Sequence, residues 1–291
     1  MWILLLVSIA WCFSFGLIKG NLSGVDSNFV SFARMLLSLI VFLPLIKFKK
    51  IEKSLFWRLF TAGGLQFGVM YIAYIGSFRY LKAYEVALFT IFTPIYVTLI
   101  NDAMNKKFKL VYLLTAFLAV AGTWVIEQSQ ILSADVLKGF LLVQVSNLAF
   151  AFGQIYYRRI MTGRVELKDH DAFGVLYLGA AAITALATLV FTPLKTLTLN
   201  AVEIWTLVYL GIFASGICFF LWNLGARQVD AGALAIFNDM KIPLAVAISL
   251  LVFGEKTNLL NLIIGGAIVV VSLIFNEVYQ RRHPEKMELA K

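Results

Sequence analysis

Residues 237–243 read Phe-Asn-Asp-Met-Lys-Ile-Pro, placing an amide, an acid, a base and a proline within an otherwise apolar run from Ala231 to Val252. Lys241 is the group here that can attract an anion. Asn238, three residues away on the same helical face, can orient what is bound, and Asp239 can carry a proton or face an amine. Asp239 and Lys241 are two positions apart, about 200° around an ideal helix, so they are poor partners for each other. A lysine in the middle of an apolar helix costs about 2.5–3.5 kcal/mol on insertion scales, which demands an acid on another helix, backbone carbonyls or a bound group. Two readings follow: a structural polar lock, or a binding site in which Asn238, Asp239 and Lys241 act together. Pro243 lacks an N–H, so the carbonyl of Asp239 loses its helical partner and a kink is expected; Pro94 does the same to Thr90. Both prolines are expected hinges.

Other polar side chains recur at helical spacing. Gln144, Asn147, Ala151, Gln154 and Arg158 are separated by 3, 4, 3 and 4 residues, which is one helix face. Phe67, Tyr71, Tyr74 and Phe78 make a second face, with Gln66 at similar depth. Ser215, Phe219 and Trp222 make a third, with Asn223 beside them. Trp11 and Phe15 belong to a more aromatic stretch. An aromatic stripe at this spacing is either packing or a ligand-facing wall. Arg34, the other basic residue deep in an apolar run, reads as structural.

These faces need helices to carry them, and the composition says which kind. Hydrophobic residues make up 61% of the chain and charged ones 14%, a balance that excludes an ordinary soluble domain. Apolar stretches long enough to cross a ~30 Å hydrocarbon core can be marked ten times, at roughly 2–19, 28–46, 56–78, 84–101, 110–127, 137–158, 171–191, 203–224, 231–252 and 258–276. The expected fold is therefore an all-α polytopic membrane protein with ten transmembrane helices. Met1 runs into Trp2 without a basic n-region, so the first span is expected to be a mature helix and not a signal peptide. The net charge of +9 has a topological cause. With both termini cytoplasmic, 17 of the 25 Lys and Arg residues fall on the cytoplasmic face and its tail, as the positive-inside rule requires. No basic stripe outside short loops points to nucleic acid. Cys12 and Cys218 lie in spans and read as small apolar residues; no metal cluster and no cofactor motif is evident.

The chain also repeats itself. At a spacing of 148 residues Trp57 meets Trp205, Gly63 meets Gly211, Gly68 meets Gly216, Arg79 meets Arg227 and Ala83 meets Ala231; after a one-residue slip Pro94 meets Pro243. At 139, Ala10 meets Ala149, Phe13 meets Phe152 and Lys19 meets Arg158, so the polar face of the sixth span maps onto Ser8, Cys12, Phe15 and Lys19 of the first. The expected organisation is two five-helix repeats, 1–130 and 131–279, with a charged cytoplasmic tail at 280–291. An odd number of helices turns the second repeat upside down, the design of many secondary transporters with a site near the midplane. Tyr74 and Trp222 occupy equivalent positions and are expected at that site together with Asn223. The glycines are expected to permit close helix contact.

The Ala-Trp-Cys-Phe-Ser-Phe-Gly-Leu-Ile-Lys stretch from Ala10 to Lys19, the Arg-x-x-x-Ala sequences at Arg79–Ala83 and Arg227–Ala231, the two mid-span prolines and Phe253-Gly254-Glu255 together resemble EamA-type permeases of the drug/metabolite transporter superfamily. The likeness covers nearly the whole chain, and the order of elements carries it. The first half departs from the pattern, with Ile100, Asn101 and Asp102 where a Gly-Glu ending is expected. The resemblance implies alternating access by rocking of helical bundles, and movement of small metabolites such as amino acids.

The expectation from the sequence is thus a secondary transporter that exports small amphipathic metabolites such as amino acids or carboxylates. Its partners are the substrate, the lipid bilayer and a proton as coupling ion, since no ATP-binding loop is present. No signal of oligomeric state is carried. Lys241 opposes a purely cationic substrate. A multidrug or cationic-compound exporter is the alternative within transport. A membrane-embedded enzyme is disfavoured because His170 and His283 lie in a loop and in the tail. The absence of a targeting segment and of paired cysteines points to a bacterial inner membrane.

Overall fold

The computed structural model describes residues 2–104, 118, 121, 133–164, 166–228 and 231–282. Nearly all of the expected fifth span, and the side chains of Asn238 and Asp239, lie outside the described residues. Among the described residues there are nine helices and no strand. They are α1 (Trp2–Asn21), α2 (Ser27–Leu45), α3 (Lys53–Ser77), α4 (Ala83–Met104), α5 (Ala134–Met161), α6 (Asp169–Phe191) and α7 (Ala201–Ala226), all long and apolar enough to span a membrane. α8 (Ala231–Leu251) and α9 (Leu259–Arg282) follow, with shorter apolar stretches at Lys241–Leu251 and Leu259–Ile268. α5 corresponds to the expected sixth span and α8 to the expected ninth.

Local chemistry explains where the helices begin. Asp26 caps α2 by accepting from the backbone N–H groups of Asn28 and Phe29. Ser133 caps α5 through Val136 N–H. At α7 the Asn200 side chain accepts from Glu203 N–H while the Glu203 carboxylate accepts from Asn200 N–H, a reciprocal capping box. Three helices are irregular inside. α3 winds as a π-helix over Gly64–Val69, α7 does so over Tyr209–Ile217, and α4 tightens to a 3₁₀ turn over Thr90–Phe92.

The burial pattern is that of a bundle solvated by lipid. Ser8, Arg34, Gln66, Asn147, Gln154 and Asn223 are buried, while Leu186, Leu189, Phe191 and Ile263 are between 64% and 72% exposed. Polar groups face inward because hydrocarbon offers them no hydrogen bonds. α1 packs on α7 and α8, and α5 packs on α3 and α4; α2 packs on α7, and α6 on α3; α2 meets α6, and α4 meets α8. Where α3 crosses α6 the backbones nearly touch. A Cβ built on Gly63 would overlap the Leu176 carbonyl, and one on Gly179 the Phe60 carbonyl, so these two positions require glycine.

Polar links close both ends of the bundle. At the end holding the 22–26 and 192–200 connections, Arg79 pairs with Asp26 at 2.9 Å and Thr192 donates to the same carboxylate. Burial by itself would raise the Asp26 pKa, but the bonds from Thr192, Phe29 and Asn28 and the nearby Arg79 charge hold it below its ordinary value. On the same side Glu255 accepts from the N–H groups of Ala83 and Tyr84 at 2.8 and 3.0 Å, docking the α8–α9 loop on the N-terminus of α4. At the other end Arg227 pairs with Asp169, and Lys47, Lys50 and His170 surround Asp171.

Candidate binding cavity between the helices

The π-helical stretch of α7 organises the interior. In a π-turn the carbonyls leave the i to i+4 register and become available to neighbours. Gly211 accepts from Ser38 Oγ at 2.8 Å, and Ala214 accepts from Trp11 Nε1 at 2.9 Å. Tyr177 OH reaches the carbonyls of Ser215 and Gly216 at 2.7 and 2.9 Å. α1, α2 and α6 thereby each send a side-chain donor to a carbonyl of this stretch of α7.

Beside this hub lies a narrow cavity, with about 560 Å3 of empty space when its open mouth is counted. One wall is aromatic: Trp11, Phe15, Tyr71, Tyr74, Phe150 and Phe219. Trp11 and Phe219 are 4.6 Å apart between ring centroids, Phe150 and Phe219 5.7 Å, and Phe15 meets Tyr74 edge-on at 5.9 Å. The opposite wall is polar and arises from the break in α4. Pro94 cannot donate to the Thr90 carbonyl, which accepts instead from Thr93 Oγ1 at 2.7 Å. Asn147 Nδ2 donates to the Phe89 carbonyl at 2.8 Å, and Thr93 Oγ1 also reaches Asn147 Oδ1 at 3.2 Å. Thr90, Thr93, Ser146 and Asn147 thus present hydroxyl and amide groups to the cavity.

Two cations line the same space. Lys241 is 7% exposed, and its Nζ stands 5.1 Å from the centroid of the Trp11 ring. Arg34 is 2% exposed; its Nε donates to Ser215 Oγ at 3.0 Å and one terminal nitrogen, Nη2, donates to Tyr71 OH at 2.8 Å. Tyr71 OH and Ser215 Oγ are themselves 2.8 Å apart, closing a triangle around one side of the guanidinium. Asp and Glu are absent from the described lining.

Of the residues singled out from the sequence, Trp11, Phe15, Tyr71, Tyr74, Asn147 and Lys241 meet at this cavity. Gln144 stands behind Asn147, its Oε1 accepting from Asn147 Nδ2 and Tyr96 OH at 3.3 Å each. Gln154, Trp222 and Asn223 are not part of the lining and form bonded pairs next to it, Trp222 packing on Trp11. Trp222 Nε1 donates to Gln154 at 3.3 Å, and Gln66 Nε2 donates to Asn223 Oδ1 at 3.2 Å. Asn238 and Asp239 have side chains outside the described residues. Pro243 lies inside α8, which continues as one helix from Ala231 to Leu251; Ser8 Oγ and Cys12 Sγ, one turn apart on α1, donate to the carbonyls of Phe237 and Lys241.

Arg34 was expected to be structural, and its position on the cavity is what sequence reading missed. The available signal was its lack of any acid at helical spacing, but the same is true of many interhelical arginines. Thr93 and Phe150 were also missed, because each looks like an ordinary span residue until the α4 break and the α7 hub bring them inward.

A profile described as the EamA-like transporter family matches residues 1–128 and 137–277. The chain belongs to the EamA-like transporter family. This EamA member is 37% identical over 280 residues to a protein of Pseudomonas aeruginosa named a probable biotin transporter, covering 96% of this chain and 98% of that one. It is 36% identical over 275 residues to proteins named biotin transporter in Salmonella typhimurium and Escherichia coli K12, covering 94% of this chain and 91% of each. A solved crystal structure shares the fold with a TM-score of 0.66 over 97% of this chain and 99% of that one, at 18% identity. The EamA chain is therefore a membrane transporter of a small molecule and not an enzyme.

Proposed function

We propose that this chain carries biotin, or a small carboxylate built like it, across the bacterial inner membrane as a secondary transporter working by alternating access. The observation that carries the reading is the cavity itself: two buried cations and no acid among its described lining residues, set in an aromatic wall. Biotin is an anion at neutral pH with a compact bicyclic body and a urea group bearing two N–H donors and one carbonyl. Arg34 and Lys241 suit the carboxylate, the rings of Trp11, Phe15, Tyr74 and Phe219 suit the bicycle, and the Thr93–Asn147 wall suits the urea. Near full-length similarity to proteins named biotin transporters supports the same substrate. The two cations count against cationic drugs.

The ten-helix inverted repeat belongs to this proposal, and paired details support it. Ser8 donates to the Phe237 carbonyl as Asn147 donates to that of Phe89, and both pairs of partners are related by the spacings of 139 and 148 residues. Phe15 meets Tyr74 as Gln154 meets Trp222, and the π-stretches of α3 and α7 fall at equivalent places. Cytoplasmic termini put Lys47, Lys50 and Arg227 at the inner end, where the positive-inside rule favours them.

The test is uptake of labelled biotin, leucine and a lipophilic cation into proteoliposomes, with wild type and Lys241→Met. Wild type is expected to carry biotin alone, and the folded Met variant to need about tenfold more biotin for half-maximal rate, the scale of one partly screened charge. Accumulation of the cation or leucine without biotin overturns the proposal.

A further inference from the structure

Arg34 carries more charge and more donors than its structural contacts use. Nε and Nη2 are occupied by Ser215 and Tyr71, whereas the third nitrogen, Nη1, is buried with no hydrogen-bond partner, and no carboxylate stands within ion-pairing distance among the described residues. A buried cation without a counter-ion is strongly disfavoured, and a guanidinium fixed on one side presents its remaining N–H groups in the fork that matches a carboxylate. The Tyr71 ring lies 4.4 Å from the guanidinium carbon, and its hydroxyl with Ser215 sets the rotamer, so the unpartnered Nη1 is held in place before anything binds.

The other half of the chain shows what the position needs for structure alone. Asp26 and Asp169, the acids of the two end pairs, are 143 residues apart, and the same spacing relates Arg34 to Tyr177. Tyr177 joins its helix to α7 with a neutral hydroxyl and stacks on Phe67 at 5.3 Å. Tying helices together at this place therefore requires no charge, and the arginine is in excess of that task.

From this we infer that Arg34 is the seat of the substrate carboxylate, with Tyr71 and Ser215 as positioning residues, and that the substrate lies with its acid toward α2 and its uncharged body along the aromatic wall. The inference rests on the carboxylate reading of the cavity proposed above but not on biotin as the compound. The acid end is recognised by two charge-assisted N–H groups, which are lost when the acid becomes an amide.

The experiment compares wild type, Arg34→Gln and Arg34→Lys, purified in detergent and checked for monodispersity, by binding of biotin, of its primary amide, and of pentanoate against pentanamide in a thermal-shift series. Wild type is expected to prefer each acid over its amide by about 10- to 100-fold. In Arg34→Gln this preference falls by about tenfold, to what Lys241 alone supplies, while amide binding stays within about threefold of wild type. Arg34→Lys retains a reduced preference, which keeps the test decisive if the Gln variant fails to fold. Equal weakening of acid and amide in the variants, or an unchanged preference, overturns the carboxylate seat and leaves biotin transport standing. If wild type ignores biotin but binds pentanoate through Arg34, the seat stands and the biotin reading falls. Failure of wild type to bind either acid overturns both.

Discussion

The two ion pairs at opposite ends of the bundle, Arg79 with Asp26 and Arg227 with Asp169, occupy matching positions in the sequence but differ in geometry, and their contributions to stability should differ in a defined order. Arg227 Nη1 reaches both oxygens of Asp169, at 2.6 and 2.5 Å, and Nη2 reaches the Met161 carbonyl at 3.4 Å; the two side chains are 27% and 14% exposed. Tyr157 OH donates to the same carboxylate. Arg79 makes one bond of 2.9 Å to Asp26 and is 53% exposed. A hydrogen bond to a charged group in a partly desolvated setting is worth about 1.5–3 kcal/mol, while an exposed ion pair yields about 0.2–1 kcal/mol. Arg227→Gln should therefore cost about 1.5–3 kcal/mol and Arg79→Gln no more than about 1 kcal/mol. At about 2–4 °C per kcal/mol for a chain of this size, Tm should fall by roughly 3–12 °C in the first variant and by under about 4 °C in the second. Tryptophan fluorescence during thermal unfolding in detergent measures both. High salt should erase most of the Arg79 effect and little of the Arg227 effect, since screening acts on exposed charges. Equal Tm losses, a larger loss for Arg79→Gln, or an Arg227 effect abolished by salt would refute this assignment of strength from burial and bond number.

Two further outcomes follow from packing and charge. Gly179→Ala should destabilise by about 1–3 kcal/mol, because the new methyl overlaps the Phe60 carbonyl and a backbone atom cannot turn aside; Gly24→Ala, where an added Cβ meets nothing, should stay within about 0.5 kcal/mol in the same unfolding assay. Asp26 has a folded pKa below its ordinary 3.8, so the stability it contributes is present above that pH and is lost as pH falls through the lower folded value. Acid titration of Tm should therefore show a decline below about pH 4 that is smaller in Asp26→Asn, and parallel curves would sink the assignment.

The membrane class of this protein, the places of the seven long spans among the described residues and its inward-facing stripes were legible from residue order. Hydrocarbon rejects charge and unpaired amides wherever they occur, so span length and the 3- and 4-residue spacing of Gln144, Asn147 and Gln154 carry that information locally. Periodicity gives the direction of a side chain and not its neighbours. It therefore put Gln154, Trp222 and Asn223 on buried faces, yet only packing showed that they bond in pairs beside the cavity, while Asn147 reaches it. Pro94 announced a break whose outcome depended on Thr93 being at hand to satisfy the Thr90 carbonyl. Pro243, identical in type, sits within a helix assigned without interruption. Arg34 shows the limit most clearly. As sequence it is an arginine in an apolar run, and what makes it an anion seat is Ser215, 181 residues away, and Tyr71, 37 residues away. Those two hydroxyls take two of its nitrogens and leave the third buried without a partner in a residue that lines the cavity, a property of three helices meeting and not of any one of them.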